Sequence, residues 1–149
     1  MKGDNRLSRM LHVLVHMAQR EGPVTSEEMA QMLNTNPVVV RRTMAGLRES
    51  GFVQAERGHG GGWRLARGLG DITLLDVYRA IDEPPLFSLR IAEDTPDCLV
   101  EQAVNAALDS ELSAARERLL RRFGEITLAA LAGDFERRWR ASSKCATKA

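Results

Sequence analysis

The chain has 149 residues, of which 44% are hydrophobic, 28% charged and only 5% aromatic, so it can bury a core and favours packed helices over a β-sandwich. No stretch approaches the roughly 20 apolar residues of a membrane span, and no apolar signal-peptide block follows the N-terminus, so a cytoplasmic location without membrane contact is predicted. The net charge of +1 is unevenly distributed along the chain. Residues 1–67 carry ten Lys and Arg against six Asp and Glu, whereas the remainder carries 11 Lys and Arg against 14 Asp and Glu. The positive first half indicates an anionic partner for that part of the chain.

Two helices are predicted at the start of the chain. Apolar residues recur at helical spacing from Arg6 to Arg20, and Gly22-Pro23 ends the run. Thr25 and Glu28 then have the spacing of a capping box, which begins a short second helix that continues to Leu33.

A third helix is predicted from Pro37 to about Glu49, with Asn36 as its cap and Gly51 as a left-handed stop. The β-branched run Val38–Val40 would indicate a strand in isolation, but the cap before it and the apolar spacing after it favour a helix. A short helix, a tight turn and a second helix predict a helix-turn-helix, whose second helix can enter the major groove of DNA.

Two strands are predicted next, over Phe52–Glu56 and Trp63–Ala66, joined by the glycine-rich residues 57–62. This is the pattern of a wing. The loop lacks the Lys-Ser/Thr ending of a P-loop and a strand follows it, which disfavours a nucleotide site. The predicted fold class is therefore mainly α with a small β-hairpin wing.

Three further helices are predicted, over Ile72–Ile81, from about Asp97 to Phe123, and over Ile126–Leu131. Residues 142–149 are expected to form a frayed tail. The predicted domains are a winged helix-turn-helix at 1–82, a linker at 83–96, a dimerisation helix with a terminal helix at 97–135, and a tail at 136–149.

The third helix has two faces when it is projected at about 100° per residue. Val40, Met44 and Leu47 are assigned to the core, and the opposite side is assigned to DNA, where an arginine can pair with guanine and a valine methyl can touch thymine. Arg57 and His59 of the wing are expected to reach the minor groove or phosphates. The candidate DNA-binding residues are Asn36, Val38, Val39, Arg41, Arg42, Arg57, His59 and Arg64. A capping role for Asn36 is as well supported as a DNA contact.

Four segments carry a family resemblance: Asn-Pro-Val-Val-Val-Arg-Arg at 36–42, Leu-Arg-Glu-Ser-Gly at 47–51, the wing at 57–66, and Asp-Ile-Thr-Leu-Leu-Asp-Val at 71–77. Together they resemble the Rrf2 family of regulators, which includes the IscR, NsrR and CymR relatives, and in particular its cluster-free YwnA-like branch. The resemblance implies a homodimer with crossed long helices that places two winged domains on a palindromic operator.

The function that follows from this resemblance is sequence-specific binding of double-stranded DNA that regulates transcription. Repression by occlusion of a promoter, in response to an unknown signal, is the expected mode, with activation as an alternative. A winged module that binds proteins and has lost DNA binding is a second alternative, which the basic third helix and wing disfavour. The long helix independently supports a dimer, because it has more apolar surface than a small domain covers alone.

Family members that sense iron, nitric oxide or oxidative stress carry three closely spaced cysteines near the start of the long helix. This chain has only Cys98 there, and Cys145 lies in the tail, so no iron-sulfur cluster and no other cofactor is expected. Cys98 is the candidate sensor because a thiol near a helix N-terminus can have a lowered pKa. Burial as a small hydrophobic residue is the favoured interpretation of this cysteine.

His12 and His16 lie one turn apart on the first helix, a spacing that can bind a metal ion. Nothing nearby in the sequence completes such a site, so no metal site is predicted and exposed or capping roles are favoured. No Ser/His/Asp or Cys/His constellation is recognisable either, and the protein is not expected to be an enzyme.

Overall fold

The computed structural model describes residues 3–146, with side chains to residue 142. These residues form six helices and one antiparallel hairpin: α1 (Arg6–Ala18), α2 (Ser26–Leu33), α3 (Pro37–Glu49), β1 (Val53–Glu56), β2 (Gly62–Leu65), α4 (Leu74–Ala80), α5 (Leu99–Glu125) and α6 (Leu128–Ala146). The prediction of a mainly helical fold with a hairpin wing is confirmed. Within the described range, no helix combines the length and apolarity needed to cross a membrane.

Side-chain caps fix where the short helices begin. Thr25 and Glu28 form the predicted capping box of α2, and Thr73 and Asp76 form a second one at α4. Asn36 caps α3, since its side-chain oxygen accepts a 2.8 Å hydrogen bond from the Val38 amide. These bonds satisfy free amides at the helix starts, so the bounds of these elements are encoded locally.

A single hydrophobic core lies beneath the helix-turn-helix. The inward side of α3 is buried as predicted, with Val40, Met44 and Leu47 at 1% exposure or less. Other segments of the chain contribute further fully buried large side chains to this core: Val13, Leu14, Val24, Met29, Val53, Ile72, Val77 and Leu128. Each such side chain contributes about 1.5–3 kcal/mol relative to an exposed position, so α3 is held rigidly on this core.

Gly46 allows α3 and α4 to approach each other. A Cβ atom at this position would collide with the backbone carbonyl oxygen of Ala80, at the end of α4. A backbone carbonyl cannot move aside as the end of a flexible side chain can. The glycine inside α3 is therefore explained by close packing, which outweighs its cost of about 1 kcal/mol in a helix interior.

The terminal helix is much longer than predicted. The sequence predicts that this helix ends at Leu131 and that a tail begins at residue 136, whereas α6 continues to Ala146. Gly133 does not stop it, because Asp134 pairs with Arg138 at 2.6 Å and the rings of Phe135 and Trp139 lie 6.3 Å apart on the next turn. The N-terminal turn of α6 also joins the main core through Leu128.

The predicted linker lies along α5 and is held there by polar contacts. The Asn105 side-chain amide donates a 2.7 Å hydrogen bond to the Ala92 carbonyl oxygen, and Arg116 pairs with Glu83 at 3.2 Å. At the other end of the linker, Gln102 donates a hydrogen bond to the carbonyl oxygen of Pro96. The linker thus connects α4 to the start of α5 by a defined path.

Candidate nucleic-acid interface

The outward side of α3 presents apolar and basic groups together. Val38 and Val39 are 65% and 50% exposed, which is unusual for residues so close to a core. Arg41 and Arg42 follow them and are also exposed. This composition suits the floor of a major groove, where methyl groups and the hydrogen-bonding edges of bases lie side by side.

The adjacent arginines of α3, Arg41 and Arg42, differ in their ion pairing. Arg41 forms an ion pair with Glu27 of α2. Among the residues that the structure describes, Arg42 forms no ion pair, so its guanidinium is free to meet a base. Arg41 must break its ion pair with the Glu27 carboxylate before it can contact DNA.

Asn36 has a structural role at the start of α3. Its side-chain oxygen is used in the cap described above, which confirms one of the two roles that its sequence position allowed. The side-chain NH₂ is not part of that bond, and Asn36 is exposed. A DNA contact by this group stays a prediction.

The wing is fixed to the rest of the domain at its base. Val24 and Trp63 exchange two backbone hydrogen bonds of 2.9 and 2.8 Å, and the Trp63 indole N–H donates to the Ser26 hydroxyl at 3.0 Å inside the core. Since Ser26 begins α2, these bonds couple the hairpin to the helix-turn-helix. This connection was not predicted, and the Trp that directly follows the glycines is the only signal of it in the local sequence.

The glycines of the wing serve its own folding. A Cβ atom on Gly62 would lie 2.7 Å from the Val24 carbonyl oxygen, and one on Gly61 would collide with the carbonyl oxygen of Glu56. Gly58 and Gly60 have φ angles of 92° and 77°, in the left-handed region. Tight turning of the loop and docking of the hairpin against Val24 therefore already require these glycines.

The three polar residues predicted in the wing are placed differently. Arg57 and His59 lie on the exposed tip, and Arg57 forms no ion pair within residues 3–142. Arg64 lies across the hairpin and donates a 2.7 Å hydrogen bond to Glu56. Arg64 thus has a role in holding the two strands together, and its assignment to DNA has less support than that of Arg57.

Arg6 is a basic residue near α3 that is not among the predicted DNA-binding residues. It lines a cleft of about 220 Å³ together with Val39, Arg42 and Asp82, and its guanidinium pairs with Asp4 at 2.8 Å. Nothing in the local sequence distinguishes Arg6 from other surface arginines, because only the packing of α1 against the end of α4 brings it to this position.

Cys98 is exposed, contrary to the favoured prediction of burial. It is the residue before α5, where the chain leaves the linker, so no core surrounds it. The backbone N–H groups of Glu101 and Val100, at the free N-terminus of the helix, hold the pKa of the Cys98 thiol below its ordinary value. The thiol is therefore accessible and inclined toward the thiolate.

Comparisons with known proteins agree with this architecture. Residues 4–134 match the Rrf2 family model, described as an iron-dependent transcriptional regulator. YwnA of Bacillus subtilis, which has the name of an HTH-type transcriptional regulator, is 35% identical over 107 residues, covering 71% of this chain and 78% of YwnA. IscR of Xenorhabdus nematophila is 33% identical over 82 residues, covering 55% of this chain and 49% of IscR.

Solved structures share the fold over most of the chain. IscR of T. potens superposes with a TM-score of 0.69 at 24% identity, covering 93% of this chain and 90% of that one. CymR, the global cysteine regulator of B. subtilis, superposes with a TM-score of 0.63 at 23% identity, covering 89% and 98%. These relatives are regulators and not enzymes. The chain belongs to the Rrf2 family of transcription regulators.

Proposed function

We propose that this protein is a cytoplasmic repressor that binds a palindromic operator as a homodimer and occludes a promoter. The observation that carries the proposal is the exposed outward side of α3, where Val38, Val39 and Arg42, which has no ion pair within residues 3–142, lie above the core. The half of the chain that contains it has an excess of positive charge, as DNA binding requires.

In this proposal α3 reads base edges and the wing fixes the register. Arg42 forms a bidentate hydrogen bond with a guanine, and Val38 and Val39 contact thymine methyl groups. Arg57 and His59, at the tip of the wing, contact phosphates or the minor groove. Since the wing is bonded to the start of α2, both elements approach DNA as one unit.

The dimer is proposed from the exposed side of α5. This helix has 27 residues, so it is about 40 Å long, and none of its residues is buried in the single chain. Val100, Val104 and Leu108 follow one another at intervals of four residues and are 72%, 52% and 39% exposed. A second copy of α5 covers this apolar stripe and sets the separation of the two α3 helices.

We propose that the protein works without an iron-sulfur cluster. Such a cluster takes about four protein ligands, usually cysteine thiolates. Cys98 is the only cysteine among the residues whose side chains are described, and it is not in a disulfide. Among the same residues, no three His, Cys, Asp or Glu side chains lie close enough together to hold a metal ion. A cluster held by one subunit therefore has too few ligands around Cys98.

Cys98 is proposed as the sensor of an oxidant or electrophile. Its pKa is lowered, so a larger thiolate fraction is present at neutral pH than for an ordinary thiol, and the rate of alkylation is expected to reach half its maximum below the ordinary thiol pKa. Peptide mass mapping after iodoacetamide treatment across a pH series measures this rate separately for Cys98 and Cys145. A Cys98 that alkylates no faster than free cysteine at pH 7 contradicts the prediction.

Modification of Cys98 is also expected to weaken operator binding, because bulk or charge there alters the junction between the linker and α5. Operator affinity measured before and after peroxide treatment tests this, with Cys98→Ser as the control that cannot respond. Unchanged affinity of fully modified protein would show that another effector must be sought.

The function itself is tested by selection from random double-stranded DNA on the purified protein, followed by sequencing of the bound fraction. We expect an inverted repeat whose half-site centres are about one helical turn, or a multiple of it, apart. An enriched sequence without symmetry would contradict the dimer. Enrichment of no sequence would favour the alternative of a protein-interaction module.

A further inference from the structure

His12 and His16 form a pair on the exposed side of α1 that plays no part in the proposed DNA and dimer surfaces. Their Nε2 atoms are 3.0 Å apart and their ring centroids are 4.7 Å apart. The sequence established only that the residues are one turn apart. The structure adds that the same nitrogen atom, Nε2, of each ring lies within hydrogen-bonding distance of its counterpart.

This separation matches neighbouring positions in the coordination sphere of a metal ion. Two imidazole nitrogens bound at about 2.0–2.1 Å are about 2.8–3.0 Å apart at a right angle, and about 3.3–3.4 Å apart at a tetrahedral angle. The observed 3.0 Å lies within this span. We propose that His12 and His16 form a two-imidazole site for a divalent transition-metal ion, with water in the remaining positions.

The protonation of the pair is compatible with metal binding. In the free protein one Nε2–H donates to the other Nε2, and in the complex both Nε2 lone pairs face the metal while the protons reside on Nδ1. The next basic residue after His16 in the sequence is Arg20. Arg20 is itself paired with Glu28 at 2.9 Å, which reduces its repulsion of a cation.

The chemistry of the two ligands indicates which ions bind. Imidazole suits copper, nickel and zinc, and the order of affinity for such a site places Cu²⁺ above both Ni²⁺ and Zn²⁺. No third His, Cys, Asp or Glu joins the pair among the described residues. The site therefore binds more weakly than a four-ligand structural zinc site, and its bound ion keeps positions open to solvent.

The test is titration of the full-length untagged chain, with its thiols alkylated, by CuSO₄, NiCl₂ and ZnCl₂ in an isothermal calorimeter. We expect one ion per chain with Cu²⁺ bound most tightly, and a loss of affinity of at least about tenfold in His12→Gln and in His16→Gln, because each removes one of two ligands. His59→Gln is the matched control, since it removes the only other histidine of the chain. Equal binding by all three variants, or no stoichiometric binding by the unmodified sequence, would overturn the proposal.

A second measurement distinguishes a ligand from a residue that only supports the fold. The electron paramagnetic resonance spectrum of the Cu²⁺ complex is expected to show coupling to two nitrogen nuclei, reduced to one in either variant. Metal is also expected to raise the Tm of the unmodified sequence, because it binds the folded helix in preference to the unfolded chain. A spectrum that is identical in His12→Gln, His16→Gln and the unmodified sequence would place the ion elsewhere.

Discussion

Val104→Glu combined with Leu108→Glu is expected to give a folded monomer whose affinity for the operator is lower by about 100-fold or more. Both side chains are exposed in the single chain, so two carboxylates cost little in folding the monomer. In a dimer seam the same carboxylates would be buried without partners, which is strongly unfavourable. The loss of DNA affinity follows because two linked half-site contacts bind far more tightly than one.

Analytical ultracentrifugation and fluorescence anisotropy on operator DNA measure the two effects in this variant. Ala106→Glu is the control, since it adds one carboxylate at an exposed position nearly opposite Val104 and Leu108 on α5. Circular dichroism establishes that all variants fold. A double variant that remains dimeric and bound would show that the α5 stripe is not the interface.

Arg42→Ala is expected to weaken operator binding by about 1–3 kcal/mol, which is about 5- to 150-fold, and to relax preference at one base pair. The reason is that Arg42 is exposed, has no ion pair to another described residue, and gains a bidentate partner only on the correct base. Replacing that base in the operator by each of the other three bases should lower the affinity of the unmodified protein. The same replacements should change the affinity of the Arg42→Ala variant little. Fluorescence anisotropy on the matched and mismatched operators measures both quantities.

Two further substitutions, Arg57→Ala and Arg48→Ala, serve as comparisons for the effect of Arg42→Ala on operator affinity. Arg57→Ala is expected to weaken all sequences evenly and to reduce the salt dependence of binding by about one ion, as loss of a phosphate contact does. Arg48→Ala removes the same charge from the last turn of α3, away from the N-terminal turns that approach bases, and is expected to change affinity little. Equal effects of Arg42→Ala and Arg48→Ala at every base would argue against base reading by Arg42.

Local signals in the sequence determined most of the winged helix-turn-helix. The Thr25 and Thr73 caps, Asn36 before Pro37, and the inward spacing of Val40, Met44 and Leu47 are interactions within a few residues or along one helix face. Such interactions are fully specified by neighbours in the chain, so the bounds of α2 and α3 could be predicted. The family resemblance rested on the same part of the sequence.

Tertiary packing alone decided the features on which the candidate sites depend. The pairing of Arg41 on α3 with Glu27 on α2 and the exposure of Cys98 at the end of the linker each depend on how the elements pack in three dimensions. The sequence identified Arg41 and Cys98 as candidate site residues, but it could not show whether Arg41 was already ion-paired or whether Cys98 was accessible to solvent. The physical reason is that periodicity and caps report only short-range contacts, whereas burial and ion pairing arise between elements whose relative positions the whole core sets.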